Sequence, residues 1–327
     1  EPPQVPPRAA EYRRVPGGVA GHESPELRLA VRQMSIRREQ AINLVGEVGE
    51  SLPEFNLKAR MNEDPIAVAD RLRKVLKVDV DSQTSWRDEW QAWQEWRAAA
   101  DRLGVLVFQF LKVSLSEVRG LSLLRFPMPV VGINSKERVP GSKSYTLMHE
   151  LIHLMLAMGH AEEVALKEKR SDKQWEDVER FAEKAASHAL VPENALSTVI
   201  GQKPKPGSFW DIEEVRRLAR YFRISPLAMA TRLRASGYMS WPTYQDWKQR
   251  WDAYLKTLKQ KSGGFASPAE KAIGRNGKPF VRLVLEALEA NRIASVEAAR
   301  YLDLKFQHFG ELRETVGSGG RRSEVYD

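Results

Sequence analysis

A five-residue stretch in the middle of the chain carries the strongest chemistry: His149, Glu150 and His153, spaced as H-E-x-x-H. Positions four apart on a helix lie on one face, so both imidazoles can share one metal ion. Glu150 sits one position along, beside the open side of that metal, where it can take a proton from an activated water. Leu147, Met148, Leu151, Ile152, Leu154, Met155 and Leu156 surround the three, which predicts a buried helix. Two histidines and a glutamate in such a helix cost free energy unless each is paired, and metal ligation supplies the pairing. The competing reading is a core helix with two hydrogen-bonded histidines.

Zinc usually takes three protein ligands and keeps a fourth position open. Residues 175–192 predict a second helix, on which Glu179 and Glu183 share one face and Ala182 and Ala186 are small enough for close packing. Glu179 is the third-ligand candidate. Glu183, one turn on, would accept a hydrogen bond from a ligand histidine and fix its tautomer. From spacing alone, a solvated glutamate pair beside Arg180 and Lys184 is an equal alternative. Manganese is an alternative to zinc, because nitrogen and oxygen ligands accept several divalent ions. A hydrolase acting on peptides also needs a donor for the developing oxyanion. Tyr145, Lys143, His160 and His188 are candidates, and the sequence does not choose among them. His188 lies nine residues past Glu179, about half a turn round the helix, and is not read as a ligand.

The elements that must position these residues are mostly helical. Ser24-Pro25-Glu26 reads as a cap opening a helix to about residue 48, and Asp64-Pro65 opens another. Trp86, Trp90, Trp93 and Trp96 form an aromatic stripe on a helix over 84–103, read as core packing. Apolar runs at 105–110, 120–125 and 130–134 predict strands of a small sheet just before the metal helix. Further on, 211–221 and 226–236 have helix-turn-helix spacing and carry Arg216, Arg217, Arg220, Arg223, Arg232 and Arg234, the nucleic-acid candidates. The same geometry also serves purely as packing. A second such unit is expected over 280–315. The fold class is α+β: mostly helical, a small β-sheet packed on a zincin-like H-E-x-x-H helix, and a helical C-terminal region. The expected division is a Pro/Gly-rich linker (1–24), a metallopeptidase domain with N-terminal helices (25–200), a helix-turn-helix-like region (201–261), a flexible loop (262–278) and a C-terminal helical region with a disordered tail (279–327).

Composition narrows the setting. The 327 residues, 42% hydrophobic, suffice for two or three domains. The absence of cysteine excludes disulfides and Cys-ligated zinc and fits a reducing cytoplasm. No apolar run reaches the length of a membrane span. The chain begins at Glu1 rather than Met, as expected of a fragment or processed product. Residues 1–202 hold 28 basic and 29 acidic side chains, whereas 203–327 hold 23 and 14, so the net charge of +8 comes from the last two-fifths. Such asymmetry points to an acidic partner such as DNA, or simply to a solubilising surface.

Tyr145-Thr-Leu-Met-His-Glu-Leu-Ile-His153, followed by Glu179-Arg-Phe-Ala-Glu-Lys-Ala-Ala-Ser-His-Ala-Leu-Val-Pro192, resembles the ImmA/IrrE family of metallo-endopeptidases. The family's first helix reads TLxHExxH and its second begins with a metal-binding Glu, which falls on Glu179. Tyr145, Glu183 and Ala185 depart from the family's usual Phe, Asn and Phe. The resemblance implies a zinc endopeptidase that cleaves a repressor of the helix-turn-helix class in a stress, phage or mobile-element response, with a DNA-binding domain often fused upstream. The competing class is a DNA-binding regulator or antitoxin whose metal is structural or sensory.

Overall fold

The computed structural model describes residues 10–14, 23–52, 54–159, 172–201, 208–258 and 266–317. In chain order its elements are β1 (Ala10–Arg14), α1 (Pro25–Glu47), α2 (Pro65–Leu76), α3 (Val80–Ser85), α4 (Glu89–Arg102), β2 (Leu106–Phe110), β3 (Val118–Leu123) and β4 (Val130–Asn134). Then come α5 (Pro140–Gly159), α6 (Asp172–Leu190), α7 (Glu193–Ile200), α8 (Ile212–Phe222), α9 (Pro226–Ala235) and α10 (Trp241–Thr257). The described chain closes with α11 (Pro268–Asn276), α12 (Lys278–Glu289), α13 (Ser295–Leu302), a 3-10 turn (Phe306–His308) and α14 (Phe309–Gly317). The class is α+β. Among the described residues no helix is long and apolar enough to cross a membrane.

The chain divides into two units that cut across the segment boundaries read from sequence. One is drawn from 1–55, 103–136 and 260–327, the other from 56–102 and 137–259. In the first, the sheet has the order β1-β3-β4-β2, with β2 parallel to β4 and the other pairings antiparallel. Its inner strands β3 and β4 pair Gly120 with Ile133 and Leu123 with Val130. Strands β2 and β4 are buried throughout, which explains their continuous apolar runs. Helix α1 lies against the sheet so closely that a Cβ on Gly132 would stand 2.6 Å from Met34 Sδ. Helices α11 and α12 join the same core: Phe280 meets Phe108 edge-on at 5.7 Å, and Gln109 donates to the Gly274 carbonyl at 2.9 Å.

Two expectations are corrected here. Within the 1–24 linker, residues 10–14 pair with β3 as a strand, because the sheet otherwise leaves that edge open. Within the 262–278 loop, residues 268–276 are helical. Ser267 caps the Glu270 N–H while the Glu270 side chain accepts from the Ser267 N–H, and this reciprocal cap outweighs the Gly- and Lys-rich composition. The tail from 318 onward lies outside the described residues.

Among the described residues the second unit is all helical. The aromatic stripe is interrupted: Trp86 sits in the break between α3 and α4 and packs edge-on against Trp96 at 5.4 Å, whereas Trp90 stays exposed. Helix α6 ends inside the core, where its last carbonyls need donors. Arg73 of α2 bonds Ala189 at 2.8 Å, Gln83 of α3 bonds Leu190 at 2.9 Å, and Arg232 of α9 bonds the next carbonyl, Val191, at 2.6 Å. Three helices thereby fix the far end of the element that carries Glu179.

Candidate metal centre

Helix α5 is buried from Gly141 to Leu156 on nearly every side, which is why apolar residues occupy all of its faces. Pro140 opens it, and the Gly141 N–H donates to the Glu89 carboxylate of α4 at 3.0 Å. A side chain at Gly141 would meet the Ser225 backbone nitrogen at 2.3 Å, so the α8–α9 turn approaches α5 as only glycine permits. At the other end, Gly159 faces the Ala59 carbonyl, and the Ala59 N–H bonds the Met155 carbonyl at 2.8 Å. The helix is held at both ends, and the histidines lie in between.

His149 and His153 turn their Nε2 atoms toward each other, 3.0 Å apart. Across from them on α6, Glu179 places one oxygen 3.3 Å from His149 Nε2 and the other 3.2 Å from His153 Nε2. Buried Ala182, Ala185, Ala186 and Ala189 let α6 come this close. Ligands about 2.0–2.1 Å from a tetrahedral zinc stand about 3.3–3.4 Å from one another. The three donors therefore fit such an ion as they stand. Both histidines are buried and Glu179 is partly exposed, so of the three donors it is Glu179 that meets solvent. Burial works to raise the Glu179 pKa, but the two imidazoles outweigh it and hold the carboxyl well below the usual range, as an anion suited to a cation. Glu150 is fully buried beside His149.

The remaining site candidates separate. Tyr145 is buried one turn before His149, on the same face of α5. Lys143 turns to α4, its amine 5.9 Å from the ring centres of Trp90 and Trp93. Burial, reinforced by Arg97 and opposed by Glu137, lowers its pKa to about 8. His188 is buried on the face of α6 opposite Glu179. Burial first, then the Arg232 charge, pushes its pKa down to about 4. His160 lies outside the described residues. Glu183 does not serve the histidines; it pairs with Arg234 at 2.9 Å, because the charged guanidinium on α9 is the stronger partner.

The arginines read as nucleic-acid candidates are mostly engaged internally. Arg232 is fully buried and pairs with Glu193, Arg223 bonds the Trp86 and Thr84 carbonyls, Arg216 bonds Glu213 and the Tyr254 hydroxyl, and Arg234 holds Glu183. Arg217 and Arg220 are left exposed. For α8 and α9, then, packing accounts for most of the positive charge. Sequence reasoning missed Glu89, whose burial, with the Asp88 charge adding and the Gly141 N–H opposing, lifts its pKa to about 7. An acidic pair, Asp88-Glu89, at the start of a Trp-rich helix gives no signal of that role.

Residues 100–234 match the family model described as the IrrE N-terminal-like domain, Peptidase_M78. No curated protein and no solved structure matches the chain. The matched span holds α5, α6 and all three donors, so the likeness to the ImmA/IrrE family is shown over this domain, which is of metallopeptidase type.

Proposed function

We propose that the IrrE N-terminal-like domain makes this chain a zinc-dependent endopeptidase that cleaves a repressor of the helix-turn-helix class. The observation that carries the reading is the convergence of His149, His153 and Glu179 at 3.0–3.3 Å, with Glu150 buried next to them. Those three residues would hold the ion, which when bound polarises a peptide carbonyl and makes water a nucleophile at neutral pH. Glu150 takes the proton of the attacking water and returns it to the leaving amine. Tyr145, on the histidine face, is the donor best suited to the oxyanion; Lys143 and His188 are committed elsewhere. With no cysteine to need an oxidising compartment, the cytoplasm is the setting we assign it.

The test is a cleavage assay. The purified chain, loaded with zinc or manganese, is mixed with the repressor encoded beside it, and products are identified by mass. We expect one defined cut, absent in Glu150→Gln although that variant keeps its metal. Equal cutting by the variant would overturn the role of Glu150. No cutting, together with a closed four-ligand site by X-ray absorption, would favour a regulator with a structural or sensory metal.

A further inference from the structure

We propose that Arg234, Trp241 and Tyr244 form a substrate subsite beside the metal centre, which holds an extended peptide by its backbone and takes a large apolar or aromatic side chain. This rests on the peptidase reading and adds a substrate class to it.

Glu183 lies one turn beyond Glu179, about 6 Å along α6. Its side chain is 36% exposed, on the same face of α6 as Glu179. Arg234 Nη2 neutralises it at 2.9 Å. The Arg234 guanidinium lies 5.1 Å from the Trp241 ring centre and 5.4 Å from that of Tyr244, and the two rings stack at 5.5 Å with 16° between their planes. Arg234 Nε is buried with no partner, while the side chain as a whole is 31% exposed.

Each feature selects a different part of a ligand. A partly exposed guanidinium already neutralised by a carboxylate suits a neutral acceptor such as a peptide carbonyl. A carboxylate would meet the Glu183 charge. Trp241 is 54% exposed although Trp247 and Trp251 of the same helix are buried in the core, so its ring is not there to fill the interior. An open, rigidly backed indole offers area and stacking to a flat apolar side chain. One helical turn, the ion pair and the guanidinium–ring gap add up to about 14 Å along this path. At about 3.3 Å per extended residue, the selected side chain lies about four or five residues from the bond cut.

The test uses the zinc-loaded full chain with Glu150→Gln, which binds without cutting. The probes are fluorescein-labelled peptides of about twelve Ala, Ser and Gly residues with a single Phe moved along them, read by anisotropy. One Phe register should bind about tenfold more tightly than the Phe-free peptide. Adding Trp241→Ala should abolish that ratio, and Trp241→Phe should restore it. Arg234→Met should weaken Phe-bearing and Phe-free peptides by the same factor, severalfold. Unchanged zinc content checks that each variant is folded. A Phe preference that survives Trp241→Ala, or no preferred register at all, would overturn the subsite. Cutting of the same peptides with Glu150 intact is scored separately. Peptides bound with the Phe preference but left whole sink the peptidase reading and keep the subsite; peptides cut without that preference do the reverse.

Discussion

Glu89 offers the sharpest stability test. Its carboxyl caps the first turn of α5, a position that favours negative charge, yet burial wins and its pKa rises from 4.5 to about 7. In the unfolded chain it ionises near 4.5. Between those values the unfolded state has lost the proton and the folded state still holds it, so stability is fully present below pH 4.5 and is lost as pH rises through 7. At about 1.4 kcal/mol per pH unit, this window sets an upper limit of about 3 kcal/mol; partial exposure and solvent screening bring the expectation to about 1–3 kcal/mol. Glu89→Gln keeps an oxygen for the Gly141 N–H but cannot ionise. Relative to the parent, the variant should therefore gain about 1–3 kcal/mol on going from pH 5 to pH 8. Urea unfolding by tryptophan fluorescence reads this directly, since all nine tryptophans lie within 56–102 and 137–259, the unit that contains α5. The same difference between variant and parent at both pH values would refute the reasoning.

Three further outcomes follow from the geometry. Gly159→Ala places a Cβ 1.8 Å from the Ala59 carbonyl oxygen and must push that backbone away, so it should cost about 1–3 kcal/mol in the same urea assay. Arg232→Met leaves the Val191 carbonyl without its donor and removes the ion pair with the half-exposed Glu193, and should cost about 1–3 kcal/mol; a stable variant with altered DNA affinity would show that this arginine faces outward. His149→Ala or Glu179→Ala should lose zinc on dialysis, measured by elemental analysis, while far-ultraviolet circular dichroism still reports the helices; full retention of the metal would remove that residue from the donor set.

The parts of this protein that were legible in its sequence are those whose physics is local. The H-E-x-x-H helix announces itself because ligand spacing and helical period coincide, and the 130–134 strand because an unbroken apolar run means burial on both faces. The helix starts at Ser24-Pro25 and Asp64-Pro65 are equally local. What escaped is set by partners far along the chain. Glu183 and Arg234 are 51 residues apart, and nothing near Glu183 says that a guanidinium will claim it. The side chains of Arg73 and Gln83, 116 and 107 residues from the carbonyls they bond, read as ordinary polar positions. Helix α11 was within reach: Ser267-Pro268-Ala269-Glu270 is a capping box, hidden by the glycines around it.

The discontinuity of the two units bears on the order in which the chain is made. Residues 137–259 complete the metal-centre unit while synthesis still has α11 to α14 to go. Gln109 waits 165 residues for the Gly274 carbonyl, and Phe108 longer still for Phe280. On the ribosome, the donors for the ion are therefore gathered first, while the strands threaded between their two halves keep an apolar face uncovered. The nascent chain then holds a finished donor-bearing unit and a sheet still short of its last helices. That interval, rather than the mature fold, is when it needs protection from aggregation.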